Sequence, residues 1–234
     1  MEIRSFEYTL ILVNDGSRDK TLEIAQRQSQ LLPMEIVNHE QNKGLGEALK
    51  SGLARAAKIS RDQDVIITMD ADNTHSPDLI ASMLHKLEQG HDCVIASRYV
   101  SGGEEIGLSF HRKLLSRGAS ALVKAFFPVP GVRDYTCGYR AYKAILIKEA
   151  FESYGNMFIQ EVGFTCMVEV LLKLRKLAVS CGEVPLVLRY DYKDGASKMR
   201  VGRTIARYMT LIVQNLATPG SAPFRSISPR GSDI

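Results

Sequence analysis

Short apolar runs alternate with segments of helical periodicity along the first hundred residues. The runs at residues 8–13, 34–37, 65–69 and 93–96 predict four strands. Between them apolar residues recur three and four positions apart, as in residues 45–56, which indicates helices. Strands that alternate with helices favour a mostly parallel sheet covered by helices on both faces, so we predict an α/β fold.

Polar clusters follow each predicted strand at the point where it ends. They are Asn14-Asp15-Gly16-Ser17, Asn42-Lys43-Gly44, Asp70-Ala71-Asp72 and Ser97-Arg98. Ligands of parallel α/β sheets bind at the carboxyl ends of the strands. The four clusters therefore predict a single site on one edge of the sheet.

The second half of the chain has a different pattern. Residues 110–127 predict a basic amphipathic helix, and further helices are predicted at about 161–177 and 198–217, with a strand at 183–190. The last segment, 218–234, is rich in Pro, Ser and Gly and is predicted to be a disordered tail.

The composition is that of a folded protein. Of the 234 residues 45% are apolar and 24% charged, which excludes disorder as the main state. The apolar runs are far shorter than a membrane span and the first residues show no secretory signal, so we expect an intracellular protein. The four cysteines lack the spacing of zinc ligands, and we expect reduced, buried thiols.

The net charge of +4 is unevenly distributed. Residues 1–108 carry a balance of −6 and residues 109–234 a balance of +10. A basic second half favours a polyanionic partner such as a phosphate, an anionic membrane or a nucleic acid, although solvated helix faces would give the same charge. Because the basic residues are not interleaved with stacking aromatic residues, we expect no nucleic acid.

Two aspartates carry the clearest chemical signal. Asp70 and Asp72 follow a predicted buried strand, and two carboxylates there suit Mg²⁺, which fills its remaining positions with water and phosphate oxygens. They could instead cap the next helix. Asp15 could accept hydrogen bonds from a nucleobase or shape its turn. Asn42 and Gly44 could approach a nucleotide or simply open a helix.

Six segments occur in one order along the chain: LVNDGSRDKT, NKGLGEAL, MDADNTHSPDL, ASRY, HRKLLSRGAS and DYTCGYRAY. They resemble family 2 glycosyltransferases, specifically the dolichyl- or polyprenyl-phosphate mannose synthase group, over roughly residues 8–210. The resemblance implies a GT-A fold and the inverting transfer of a sugar from a nucleotide sugar to a polyprenyl or dolichyl phosphate. Mannose is the most favoured sugar, and the donor would be GDP-mannose or a UDP-sugar. It also implies Mg²⁺ or Mn²⁺ as cofactor and a peripheral, cytoplasmic location at the cytosolic membrane face.

The matching motifs imply a donor site in the first half of the chain. By resemblance, Asp15 would contact the base and Asn42 and Gly44 would line the nucleotide pocket. Asp70 and Asp72 would hold the metal on the donor diphosphate, with Asp72 counted among the catalytic residues.

The place of a third metal contact, often Gln in the family, is taken here by Thr74. Members of the family also carry a strand and a helix before the strand that matches residues 8–13. This chain starts inside or just after that helix, so we expect either a start further upstream or a shortened form.

The resemblance also implies an acceptor site. Arg98, a catalytic residue in this scheme, would receive the acceptor phosphate together with Arg112 and Ser116, which are four residues apart and share a helix face. Lys198 and Arg200 would close over the phosphates.

The DYTCGYRAY stretch would lie beside the sugar. There Arg140 would bind substrate, and Asp134 would act in catalysis as a positioning group or weak base. An acceptor phosphate that is already mostly dianionic needs orientation more than deprotonation, so His75 and His111 need no catalytic role.

On this reading residues 1–217 form one domain, in which 1–108 bind the nucleotide sugar and 109–217 face the acceptor and the membrane. The helices predicted at 110–127 and 198–217 are basic at one end and apolar along one face, which predicts association with a membrane surface. The alternative is packing on the sheet, on a second copy or on a membrane-protein partner. Two other functions stay open. One is a family 2 transferase with a soluble sugar or protein acceptor, and the other is a shortened, non-catalytic protein that binds nucleotides.

Overall fold

The computed structural model describes residues 6–107, 110–190 and 201–217. The strands are β1 Leu10–Asp15, β2 Met34–His39, β3 Val65–Thr68, β4 Cys93–Ser97, β5 Glu104–Ile106, β6 Arg140–Lys143, β7 Cys181–Pro185 and β8 Val187–Arg189. The helices are α1 Thr21–Gln28, α2 Leu45–Ile59, α3 Leu79–Glu88, α4 Phe110–Phe126, α5 Ala144–Tyr154, α6 Cys166–Arg175 and α7 Val201–Ala217. The predicted mixed α/β fold class is confirmed. The predicted tail 218–234 lies outside the described residues, and the predicted domain extent stays a prediction.

The described strands form three sheets. β1 and β2 run parallel, with Leu10 opposite Met34 and Asp15 opposite His39. The four-stranded sheet has the order β3-β6-β4-β7, in which β6 is antiparallel to both neighbours and β4 is parallel to β7. β5 and β8 form a third, parallel pair.

The position of β6 determines which loops meet. Because β3 and β4 both run antiparallel to β6, they run in the same direction, and the ends of both strands lie at the edge where β6 begins at Arg140. The segment before β6, residues 134–139, therefore lies at the same edge as the segments that follow β3 and β4. This arrangement brings three polar segments to one place.

The core lies around β4 and α6. All five residues of β4 are buried, which agrees with the apolar run Cys93–Ala96, since a strand covered on both faces has no polar side. In α6 every residue from Cys166 to Leu172 is buried. The one carboxylate there, Glu169, accepts the Gln160 and Glu161 N–H groups at 2.9 Å each and pairs with Lys173 at 2.6 Å. The cysteines are free and buried, as predicted.

Several elements differ from the sequence prediction. The predicted strand at 183–190 is divided at Leu186, whose N–H donates to Ser97 and whose carbonyl accepts from Glu104, so the chain passes there from β4 to β5. The predicted helix at 161–177 begins only at Cys166. Neither β5 nor α5 was predicted. No helix among the described residues is both long and apolar enough to cross a bilayer.

Candidate active site

Asp15 lies at the end of β1 in a closely bonded turn. Its carboxylate accepts the backbone N–H groups of Lys43 at 2.9 Å and Gly44 at 2.8 Å, and it lies 2.7 Å from Nδ1 of His39. Asn42 donates from Nδ2 to the Asp15 carbonyl at 3.0 Å. Burial alone would raise the pKa of Asp15, but the bonds from His39 and the two N–H groups outweigh it and lower the pKa. The structure thus brings together the three residues predicted for the nucleotide pocket.

Two glycines at the start of α2 pack against the segment that precedes α6. Gly44 has a φ of +94°, and a Cβ on it would lie 2.5 Å from Cγ1 of Val162. Gly46 donates its N–H to the Val162 carbonyl at 2.9 Å, and a Cβ there would lie 1.7 Å from the Glu161 carbonyl oxygen. Side chains at these positions would push the two backbones apart, so the glycines fix the position of the Asp15 turn against residues 161–162.

Asp70 and Asp72 follow β3, as predicted. Asp70 is exposed and Asp72 is half-buried. Thr74 is buried, and its hydroxyl donates to Oδ1 of Asp72 at 2.6 Å. Thr74 therefore orients the Asp72 carboxylate, and because its hydroxyl oxygen keeps lone pairs when its hydrogen is donated, its role as a metal ligand stays a prediction.

Two carboxylates are enough for the predicted cation. No group of three or more His, Cys, Asp or Glu side chains in the described segments is arranged to hold a metal. Mg²⁺ commonly takes one or two protein carboxylates and completes its shell with water and substrate phosphate oxygens. An exposed Asp70 beside an oriented Asp72 fits such a site in its donor chemistry.

His75 connects the Asp70 segment to the segment before β6. Its Nδ1 accepts the Asp70 N–H at 2.9 Å, so the ring carries no hydrogen on that nitrogen. The ring stacks on Tyr139 at a centroid distance of 4.9 Å, and the Tyr139 hydroxyl donates to the Ser76 carbonyl at 2.9 Å. A Cβ on Gly138 would lie 3.9 Å from Oδ1 of Asp70. The Asp70 carboxylate therefore lies beside the 134–139 segment.

Arg98 at the end of β4 is buried in an ionic cluster. Its Nε and Nη2 each donate to Asp134 at 2.7 Å, Nη2 donates to Thr136 at 2.6 Å, and Nη1 donates to Glu105 at 3.3 Å. Four of its five N–H donors have partners in these bonds, so a phosphate would bind the remaining N–H or replace a carboxylate. Its role as a phosphate ligand stays a prediction.

Asp134 is a buried anion, fully excluded from solvent. Burial would raise its pKa, but Arg98 outweighs this effect and holds the pKa below the ordinary value. Its carboxylate also accepts the N–H groups of Arg98, Thr136 and Cys137. Because a buried carboxylate with these partners is a poor proton acceptor, the geometry favours the positioning role over the weak base, and both stay predictions.

Glu105 is a site residue that the sequence reasoning missed. Its side chain is 1% exposed, and Oε2 has no hydrogen-bond partner in the described part of the chain. Burial raises its pKa above the ordinary value in spite of Arg98. Arg117 lies 3.9 Å from Oε2. In the sequence Glu105 follows Glu104 after two glycines, a pattern typical of an exposed acidic loop, so no signal marked it.

Tyr99 links Arg98 to α4. Its hydroxyl donates to Oγ of Ser116 at 2.8 Å, and the guanidinium groups of Arg98 and Arg117 lie 5.0 Å and 5.7 Å from its ring centroid. Ser116 and Arg98 thus both contact Tyr99, and their joint role in an acceptor site stays a prediction. Of Arg112 only the backbone, within α4, is described.

Lys198 and Arg200, predicted to close over the phosphates, lie outside the described residues. The role of Arg140 in substrate binding stays a prediction, and the structure gives its side chain partners within the protein. Its side chain is fully buried and donates to the carbonyls of Cys137, Met167 and Tyr135 at 2.8, 2.8 and 3.0 Å. Arg140 holds the start of β6 against α6.

The sheet, the carboxylate pair after β3 and the arginine cluster after β4 form the arrangement expected from the resemblance to GT-A glycosyltransferases. Comparison with known proteins agrees, since the sequence profile of glycosyl transferase family 2 matches residues 3–151. The chain belongs to this family.

Three relatives carry related names. A dolichol-phosphate mannosyltransferase of Pyrococcus furiosus is 31% identical over 93% of this chain, which spans 58% of that relative's length. A polyprenol monophosphomannose synthase of Mycolicibacterium smegmatis is 30% identical, over 81% of this chain and 69% of the relative. An undecaprenyl-phosphate mannosyltransferase of Micrococcus luteus is 29% identical, over 84% and 77%.

Solved structures show the same fold. Glucosyl-3-phosphoglycerate synthase from Mycobacterium tuberculosis, in complex with phosphoglyceric acid, superposes with a TM-score of 0.61 at 21% identity, covering 91% of this chain and 70% of that chain. A complex of the same enzyme with Mn²⁺, UDP-glucose and phosphoglyceric acid gives a TM-score of 0.60 at 20% identity with the same coverage.

Proposed function

We propose that the chain transfers a mannosyl group from a nucleotide sugar, with inversion, to a polyprenyl or dolichyl phosphate at the cytosolic face of a membrane. The observation that carries the proposal is the edge of the β3-β6-β4-β7 sheet, where β3 and β4 both end. A carboxylate pair for a donor diphosphate follows β3, and an arginine–tyrosine–serine group for an acceptor phosphate lies at the end of β4. The names of three relatives at 29–31% identity support the same substrates.

The chemistry requires positioning and neutralisation of charge more than proton transfer. A phosphate monoester is mostly dianionic near neutral pH, so its oxygen can attack the sugar carbon without a general base. The absence of a free base at Asp134 agrees with this, because the carboxylate is occupied by Arg98. Ser116 and Arg98, joined through Tyr99, would orient the acceptor.

A divalent cation would neutralise the departing nucleoside diphosphate when bound. Asp70 and Asp72 would hold it, with Thr74 and the backbone bond to His75 fixing their segment. Mn²⁺ accompanies UDP-glucose in the related fold, which supports Mg²⁺ or Mn²⁺ as cofactor. The donor is GDP-mannose or a UDP-sugar, and mannose is favoured by the relatives' names.

Two helices support the proposed peripheral membrane binding. α4 and α7 contact each other, and α7 buries Tyr208, Leu211 and Ile212 while exposing Met209 and Val213. An apolar stripe that the described part of the chain leaves exposed, on a basic half of the chain, suits an anionic membrane interface.

Co-sedimentation with vesicles tests the membrane part. We expect stronger binding to anionic than to neutral vesicles, and weaker binding of the double variant Met209→Ser/Val213→Ser. Leu31→Ser, which changes an exposed leucine outside α4 and α7, is the matched control and should bind as wild type. Equal binding to both kinds of vesicle would contradict this part of the proposal.

Sugar transfer tests the reaction itself. Purified chain is incubated with labelled GDP-mannose or UDP-glucose, Mn²⁺ and a short polyprenyl phosphate, with phosphoglyceric acid as a soluble competing acceptor. We expect lipid-linked mannose that disappears in Asp72→Asn and persists in the exposed control Asp62→Asn. Transfer only to the soluble acceptor would replace the proposed acceptor class.

A further inference from the structure

His39 has no role in the scheme described so far. It is the last residue of β2, and the parallel register of β1 and β2 places it directly opposite Asp15. Side chains opposite each other on adjacent strands emerge on the same face of the sheet. The imidazole is therefore brought to the carboxylate by backbone pairing, and the side chain is 6% exposed.

Both ring nitrogens of His39 have partners. Nδ1 lies 2.7 Å from Oδ1 of Asp15, and Nε2 lies 3.0 Å from Oγ of Ser51 in α2. A ring held at both ends cannot rotate without breaking a bond, so α2 and β2 together fix its orientation. The sequence motifs indicate Asp15 as the ligand-facing residue, and the structure adds the group that holds its carboxylate.

The acceptor positions of Asp15 are nearly filled. Oδ1 receives His39 and the Lys43 N–H, and Oδ2 receives the Gly44 N–H. A carboxylate has about four acceptor positions, so these bonds leave one, on Oδ2. A base edge that reaches Asp15 would therefore donate one N–H to that oxygen, and its alignment depends on how the carboxylate plane is held.

We propose that His39 is a positioning residue of the donor site, which through Nδ1 holds the Asp15 carboxylate so that Oδ2 accepts one N–H of the nucleobase. The inference rests on the proposed function, since it needs a nucleotide donor. The two ring nitrogens then have different roles: Nδ1 acts on the donor through Asp15, whereas Nε2 only anchors the ring to α2.

Asparagine and glutamine test the two nitrogens separately. The amide nitrogen of Asn takes roughly the place of Nδ1, and that of Gln takes roughly the place of Nε2. We measure dissociation constants of UDP and GDP by calorimetry, together with KM and kcat for the donor, in His39→Asn, His39→Gln, His39→Ala and Ser51→Ala. Thermal unfolding of each variant reports any loss of stability.

We expect His39→Ala and His39→Gln to weaken nucleotide binding about tenfold, the scale of one hydrogen bond to a charged group. The loss should appear in the donor KM, with kcat changed less than about twofold, because Asp15 contacts the base and not the reacting atoms. His39→Asn should restore most of the affinity. Ser51→Ala should retain it.

A purely structural histidine would give a different result. If the three His39 variants lose affinity in proportion to their loss of melting temperature, with no recovery in His39→Asn, the inference is overturned. Unchanged affinity in His39→Ala overturns it as well, while leaving the proposed function intact. A wild-type chain that binds neither UDP nor GDP overturns the proposed function and this inference with it.

Discussion

Arg98 lies between two buried carboxylates that should respond to substitution in opposite ways. Asp134 makes two hydrogen bonds of 2.7 Å with its guanidinium, and Glu105 makes one of 3.3 Å. The pKa of Asp134 is lowered and that of Glu105 is raised. The folded protein thus stabilises the charge on Asp134, whereas burial makes the charge on Glu105 unfavourable.

The matched variants are Asp134→Asn and Glu105→Gln. Asp134→Asn leaves Glu105 as the remaining carboxylate partner of buried Arg98. It also places the amide N–H₂ group of Asn against N–H groups that donate to Asp134 in the wild type. Breaking a buried ion pair typically costs about 3–5 kcal/mol, so we expect a fall in melting temperature on the order of 10 °C. Glu105→Gln removes a carboxylate oxygen that has no hydrogen-bond partner among the described residues, and its effect should stay within about 1 kcal/mol.

The pH dependence gives a second readout by denaturant titration. Because the pKa of Asp134 is lowered from 3.8, its contribution is present at pH values above 3.8 and is lost as the pH falls through the folded-state pKa. Because the pKa of Glu105 is raised from 4.5, its charge costs stability as the pH rises above 4.5. Glu105→Gln should therefore gain stability relative to wild type between pH 4.5 and pH 7. Equal losses in both variants at pH 7 would refute the reasoning.

Three further predictions about stability and one about the metal each concern a single residue. Arg140→Met should lower the free energy of unfolding by about 3 kcal/mol or more, measured by urea titration, because it leaves buried carbonyls without donors; donor KM in the folded fraction should stay unchanged. Gly46→Ala should destabilise by about 1–3 kcal/mol, since its Cβ would overlap the Glu161 carbonyl. Gly118→Ala in α4, where a Cβ meets nothing within 4 Å, should stabilise by about 0.5–1 kcal/mol in the same titration. Asp72→Asn should abolish any Mn²⁺-dependent rise in melting temperature with nucleotide, and an undiminished rise would exclude Asp72 as a metal ligand.

Elements with an unambiguous period could be predicted from the sequence. The strand at 65–69 and the helix at 110–127 were predicted to within one residue at each end, because their apolar patterns fit one period only. β5 was missed because its three residues contain two glutamates, and burial of Glu105 comes from the cluster around Arg98. Such an ion pair depends on a partner distant in sequence, which no local pattern reveals.

In the candidate site, too, some residues could be predicted from the sequence and others could not. Asp15, Asn42 and Gly44 could be grouped from the sequence because strand-end motifs converge on one edge, and the structure joins them by hydrogen bonds. His39 and Arg140 could not be placed. His39 acts through strand register, which a local pattern does not show. Arg140 stands in a motif that suggests a substrate ligand, but its guanidinium donates to backbone carbonyls.

The central claim is that the chain glycosylates a polyprenyl phosphate, and the most direct measurement is the formation of lipid-linked sugar. Labelled GDP-mannose and a short polyprenyl phosphate are incubated with the chain and Mn²⁺, and the organic phase is counted with and without chelator. The account predicts chelator-sensitive mannosyl lipid with wild type and with Asp62→Asn, and none with Asp72→Asn. Lipid product that persists in Asp72→Asn would contradict the account, as would wild-type chain that binds the nucleotide sugar with Mn²⁺ but forms no lipid product from GDP-mannose or a UDP-sugar.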